Sequence, residues 1–106
     1  LRRQPMEFLK NDPSAEWRQQ LVEDCNPIPV ILKGTKEEVE NWKTVRWFVD
    51  CGDKDFTLEA NMDLVKAFRQ QGIDYEMRVR AGSHDWGYWH TSLEMALTYF
   101  SKLLRE

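Results

Sequence analysis

The sequence has no stretch of about eighteen consecutive apolar residues, so no membrane-spanning helix is expected. It has only two cysteines, Cys25 and Cys51. They are too few for a disulfide scaffold, and neither lies in a C-x-x-C or zinc-ligand spacing. Both are expected to be buried free thiols. An excess of basic charge is also missing. The net charge is -3 with the two signs interspersed, which gives no electrostatic case for nucleic acid or an anionic membrane surface. The charges read as solvated faces. No glycine-rich phosphate loop is present, and no repeat or low-complexity segment. An initiator Met is absent, and the opening Leu1-Arg2-Arg3-Gln4-Pro5 has no apolar segment behind it. A signal peptide is not expected there, and an excised piece of a longer protein is. The compartment is left open.

What is present is enough for one small domain. The chain has 106 residues, 42% hydrophobic and 31% charged, as in ordinary soluble globular proteins. Five tryptophans are many for this length. The chain divides near Thr44 into two unlike halves, residues 1–44 and residues 45–106. In the first, Asp12-Pro13-Ser14 reads as an N-cap with Pro at the first helical position. A helix can follow, with Trp17 and Leu21 on one face, until Asn26-Pro27-Ile28-Pro29 stops it. After the short apolar run Val30-Ile31-Leu32 and Lys33-Gly34, the sequence Thr35-Lys36-Glu37-Glu38 matches a capping box. Val39 and Trp42 are expected to face inward from that helix.

The second half is more regular. Val45 to Cys51 is β-branched and aromatic and reads as a buried strand. Asp53 to Thr57 is a loop. A helix is expected over about 58–71, with Leu58, Asn61, Val65 and Phe68 on one face, ending at Gly72. Tyr75 to Arg80 alternates apolar and polar, which predicts a strand with one buried and one wet face, near a sheet edge. Ala81 to Gly87 is a loop. A last helix over about 88–104 would turn Leu93, Ala96, Leu97, Phe100 and Leu103 inward. This β-α-β-α order implies an α/β fold with a parallel strand pair. Two parallel strands do not make a stable sheet. The missing strands are therefore expected in a preceding segment, and the chain alone should be marginal, or pair with another fragment or another copy. An independent binding module of thioredoxin-like or flavodoxin-like size fails on strand count.

Ligands of open α/β sheets bind beyond the carboxyl ends of the strands. Both loops of the second half lie there. One carries Asp53 and Asp55, the other His84 and Asp85. Acid and then histidine is the chain order that follows the nucleophile in hydrolase triads. Histidine titrates near neutrality and can take and return a proton. A carboxylate on its Nδ1–H fixes tautomer and orientation. The alternative is purely structural: Asp55 caps the helix near Leu58, and His84 makes a turn contact.

The motifs Cys51-Gly52-Asp53-Lys54-Asp55-Phe56, Asn61, Gly72-Ile73 and Gly82-Ser83-His84-Asp85-Trp86-Gly87-Tyr88-Trp89 closely resemble the C-terminal end of the esterase D-like branch of the α/β-hydrolases. That branch includes feruloyl, acetyl-xylan, tributyrin and enterochelin esterases. The resemblance covers residues 46–106 and includes the spacing of 29 positions between Asp55 and His84. Residues 1–45 resemble, more weakly, the helical substrate-side insertion of the same family. The resemblance implies the C-terminal part of an α/β-hydrolase fold, preceded by short helices. It implies Asp55 as triad acid and His84 as triad base, with Asp53 the rival acid and Asp85 pointing elsewhere. Trp86 and Trp89 are either an aromatic wall for an acyl or aryl group or packing for the histidine loop. No metal or organic cofactor is implied. His90 is expected on an exposed helix face, and a zinc pair with His84 lacks a third ligand.

One departure stands out. The family nucleophile lies in G-x-S-x-G, and none of Ser14, Ser83, Ser92 and Ser101 has that context. The oxyanion-hole donors also lie upstream in the family. The expectation is therefore a serine carboxylesterase represented by its C-terminal part and inactive alone. Its partners would be a small-molecule or carbohydrate-linked ester and the N-terminal portion of the protein, with no nucleic acid or membrane. The rival is a catalytically inactive hydrolase-like domain used for binding or assembly.

Overall fold

The computed structural model of the chain describes residues 15–105. The N-cap expected at Asp12-Pro13-Ser14 lies outside them. Three helices, α1 (Ala15–Cys25), α2 (Pro27–Leu32) and α3 (Lys36–Trp42), precede β1 (Phe48–Gly52), α4 (Leu58–Gln70), β2 (Glu76–Arg80) and α5 (Trp86–Leu104). β1 and β2 pair in parallel, from Phe48 opposite Glu76 to Gly52 opposite Arg80.

Local chemistry accounts for most boundaries. Asn26 ends α1 but also starts α2, because its side chain accepts from the Ile28 N–H while Pro27 supplies a preset φ. The Thr35 capping box forms with both reciprocal bonds, Thr35 to the Glu38 N–H and Glu38 to the Thr35 N–H. α4 closes at a left-handed Gly72, φ +68°. β1 begins later than expected. Thr44 and Val45 still bond back to Asn41 and Trp42, finishing the turn after α3.

The core lies on one face of the strand pair. Ile31, Val39, Ala67, Phe68 and Ile73 form it, with Trp42, Trp47, Val49 and Leu64 packed against them. Trp47 lies 5.2 Å from the Phe68 ring and donates its Nε1–H to the Trp42 carbonyl. α2 and α3 thus share one core with α4. The other face carries α5, which meets β1 through Phe48 against Tyr99 at 5.0 Å and through Tyr88 against Asp50.

Several expected burials do not occur. Leu93, Leu97 and Phe100 of α5 are exposed, not inward. Two neighbouring strands are only about 5 Å apart, and five residues reach about 17 Å. A nineteen-residue helix is about 28 Å long, so this sheet cannot cover it. The same narrowness leaves Val79 exposed, while Arg78 and Arg80 are half-buried, and the alternation in β2 does not yield one buried face. Cys51 is buried as expected, but Cys25 is exposed on α1, as are Trp17 and Leu21. No described helix is long and apolar enough to cross a membrane.

Candidate active site

Two loops leave the carboxyl ends of the parallel strands, and backbone bonds join them. The Asp53 N–H donates to the Arg80 carbonyl at 2.8 Å, and the Lys54 N–H donates to the Gly82 carbonyl at 2.9 Å. The Gly82 N–H donates to Asp53 Oδ1 at 3.0 Å. Contact this close requires glycine. A Cβ on Gly52 would lie 2.4 Å from the Gly82 oxygen, and one on Gly82 (φ +152°) would lie 2.5 Å from the Tyr88 ring.

This arrangement brings Asp55 and His84 together. Asp55 Oδ2 lies 2.9 Å from His84 Nδ1. The Asp55 side chain is 5% exposed and the His84 side chain 44%. Asp55 Oδ1 accepts from the Thr57 N–H at 2.8 Å and from the Thr57 hydroxyl at 2.7 Å. Burial is the largest single influence on the Asp55 carboxyl and opposes ionisation. The Thr57 hydroxyl and N–H together with His84 outweigh it, and its pKa is lowered. Among the described residues nothing hydrogen-bonds His84 Nε2, so that nitrogen is available to a further partner.

Asp53 does not reach His84. It accepts from Gly82, faces Lys54 at 3.6 Å, and is held ionised chiefly by the Gly82 N–H. Asp85 is the N-cap of α5 and accepts from the Tyr88 N–H at 2.9 Å. The loop between strand and helix is thereby fixed on both sides of the histidine.

Aromatic rings flank the imidazole on two sides. Phe56 lies 4.9 Å from it and Trp89 4.7 Å, the latter edge-on. Trp86 meets Trp89 at 5.1 Å and is 83% exposed. Trp89 therefore packs on the histidine, whereas Trp86 is mostly exposed and reaches it only through Trp89. Both line an open groove of about 850 Å³ with Phe48, Asp50, His90 and Leu93. His90 is exposed on α5, and no group of three His, Cys, Asp or Glu that could hold a metal occurs among the described residues.

Sequence reasoning missed Thr57 and the group under the histidine loop. An Asp two residues before a Thr at a helix start is a recognisable turn signature, and it could have marked Thr57. Nothing local marks the second group. Tyr88 donates its hydroxyl to Asp50, Arg80 bonds Asp50 at 3.2 Å and also Ser92, and the Arg80 guanidinium stacks 4.0 Å over the Tyr88 ring.

No family model matches the chain. Over 69 residues it is 30% identical to an acetyl esterase of Caldicellulosiruptor saccharolyticus, a match covering 65% of this chain and 26% of that protein. It also resembles the solved structure of a ferulic acid esterase, with a TM-score of 0.66 and 38% identity over 68% of this chain and 27% of the other. The chain thus spans about a quarter of the length of these relatives.

Proposed function

We infer, from a C-terminal region related to esterases and a fold that matches part of an α/β-hydrolase, that the protein hydrolyses carboxylic esters and that this chain supplies the acid and base of a serine-type triad. The observation that carries the reading is the 2.9 Å contact of Asp55 with His84 Nδ1, with Nε2 left for another group. In this reading a serine hydroxyl from a segment outside this chain gives its proton to His84 Nε2 as its oxygen attacks the ester carbonyl. Asp55 keeps the second proton on Nδ1 and stabilises the imidazolium. His84 then protonates the departing alcohol, leaving an acyl-enzyme. Water attacks that intermediate, again losing its proton to His84, and the acid is released as the acyl–serine bond breaks and His84 returns the proton to the serine oxygen. The sequence needs no metal or organic cofactor.

The substrate class we assign is a small-molecule or carbohydrate-linked acyl ester. Two relatives named for acetyl and ferulic acid esters support it, as does the wall of Trp86 and Trp89 beside the histidine. The chain alone is expected to be inactive, since none of its serines lies in a G-x-S-x-G sequence. In the full-length protein, hydrolysis of an aryl acetate should fall by at least about 10⁴-fold in His84→Ala, with the melting temperature retained. Native rates in that variant would sink the assignment. A full-length protein with no turnover of any acyl ester would instead favour an inactive hydrolase-like domain.

A further inference from the structure

We propose that Asn61 is a positioning residue of this site, acting through the Thr57 hydroxyl to keep the Asp55 carboxylate aimed at His84. The proposal deepens the ester-hydrolase reading and rests on it.

The argument is one of donors and acceptors. An ionised carboxylate only accepts hydrogen bonds. Asp55 Oδ1 takes the Thr57 N–H and the Thr57 hydroxyl. A hydroxyl has one hydrogen. With that hydrogen committed to Asp55, Thr57 Oγ1 can only accept from any other neighbour. The neighbour is the Asn61 amide at 3.2 Å, one helical turn further along. Of the two ends of that amide only the nitrogen donates, so the chemistry itself fixes which end faces Thr57. The same nitrogen lies 3.1 Å from the Thr57 carbonyl and 3.3 Å from Cys51 Sγ at the end of β1. Asn61 is therefore held by both the strand that delivers Asp55 and the helix that follows it.

The result is a one-way series. Asn61 donates to Thr57, Thr57 donates to Asp55, and Asp55 accepts from His84 on its other oxygen. Asn61 makes the alternative hydroxyl orientation costly, because a hydrogen turned toward Asn61 would meet another hydrogen. Removing Asn61 takes away the donor that holds the Thr57 hydroxyl in this orientation and leaves Cys51 Sγ, at 3.8 Å, as its side-chain neighbour besides Asp55. One of the two bonds to Asp55 Oδ1 is thereby loosened.

The test is a double-mutant cycle in the full-length protein, read as kcat and KM on an aryl acetate. Asn61→Leu should lower kcat by about tenfold with KM little changed. Thr57→Val should lower it at least as much, and in that background Asn61→Leu should cause no further loss, because the pair acts as one unit. Thr57→Ser should restore most of the rate that Thr57→Val removes. If the leucine variant fails to fold, Asn61→Ala takes its place. Native kcat in the Asn61 variant, or the same loss in both Thr57 backgrounds, would overturn the proposal. If turnover does not depend on His84 at all, the esterase reading fails instead. The series is then read from the His84 Nδ1 proton resonance, which Asn61→Leu must shift in the native background and not in Thr57→Val. An unmoved resonance overturns it.

Discussion

Gly52 and Gly82 touch backbone to backbone, so closely that a single added carbon on Gly52 would stand 2.4 Å from the Gly82 carbonyl oxygen. Gly52 ends β1, and Gly82 lies two residues past the end of β2, where the Asp55 and His84 loops begin. The separation of acid and base is therefore set at least as much by the absence of two side chains as by the presence of others.

Gly52→Ala should disrupt that contact. The obstacle is backbone, which cannot swing aside as a flexible side chain would. Forced overpacking of this kind costs about 1–3 kcal/mol. The variant should unfold at lower urea in the full-length protein and lose ester hydrolysis more than its stability loss explains. An unchanged unfolding midpoint would contradict the structure.

The two candidate acids should separate sharply. Asp55→Asn should lower kcat on the order of 10⁴-fold, because the amide favours the wrong histidine tautomer. Asp53→Ala removes the acceptor for the Gly82 N–H and the exposed partner of Lys54 and should cost a small fraction of that rate. Steady-state kinetics on both variants decides it. A larger loss in Asp53→Ala would reverse the roles.

Acid should weaken the fold in part through Asp55. Its folded pKa lies below the ordinary value of 3.8, so folding favours the ionised form. That contribution is complete above the unfolded value and is lost as pH falls through the folded one. Urea midpoints in full-length protein should therefore drop on acidification below about pH 4. Asp55→Asn should flatten part of the drop.

At the alkaline end stability should be lost in part through Tyr88. Burial, with Asp50 as acceptor, pushes its phenol up to about 12. A raised folded pKa means stability that is whole below the unfolded value of 10.0 and lost as pH rises through about 12. Tyr88→Phe should remove a phenolate absorbance change centred near that upper pH. Removing the hydroxyl also leaves Asp50 with one donor fewer, a loss of about 1–3 kcal/mol. A variant with the same alkaline titration as the native protein would show that Tyr88 is not the buried phenol.

Local rules made much of this legible in advance. The capping box at Thr35, the stop at Gly72 and the parallel β-α-β order follow from neighbouring residues alone. The family resemblance, not local rules, chose Asp55 over Asp53 to pair with His84, and the fold sets Asp55 and His84 2.9 Å apart. Burial was less readable. Leu93, Leu97 and Phe100 have the periodicity of an inward face yet remain exposed, because periodicity states which side is apolar and not whether anything covers it.

The sequence by itself determined the order of the elements, the starts of α3 and α4, the stop at Gly72 and which residues carry titratable chemistry, because capping, backbone freedom and side-chain type act within a few positions. Only the tertiary structure decided that Asp53 turns to Gly82 while Asp55 turns to His84, and that Tyr88, Arg80 and Asp50 meet beneath the histidine loop. All but the Arg80–Tyr88 contact join residues 29 to 38 positions apart, and their partners are selected by the parallel register of two strands.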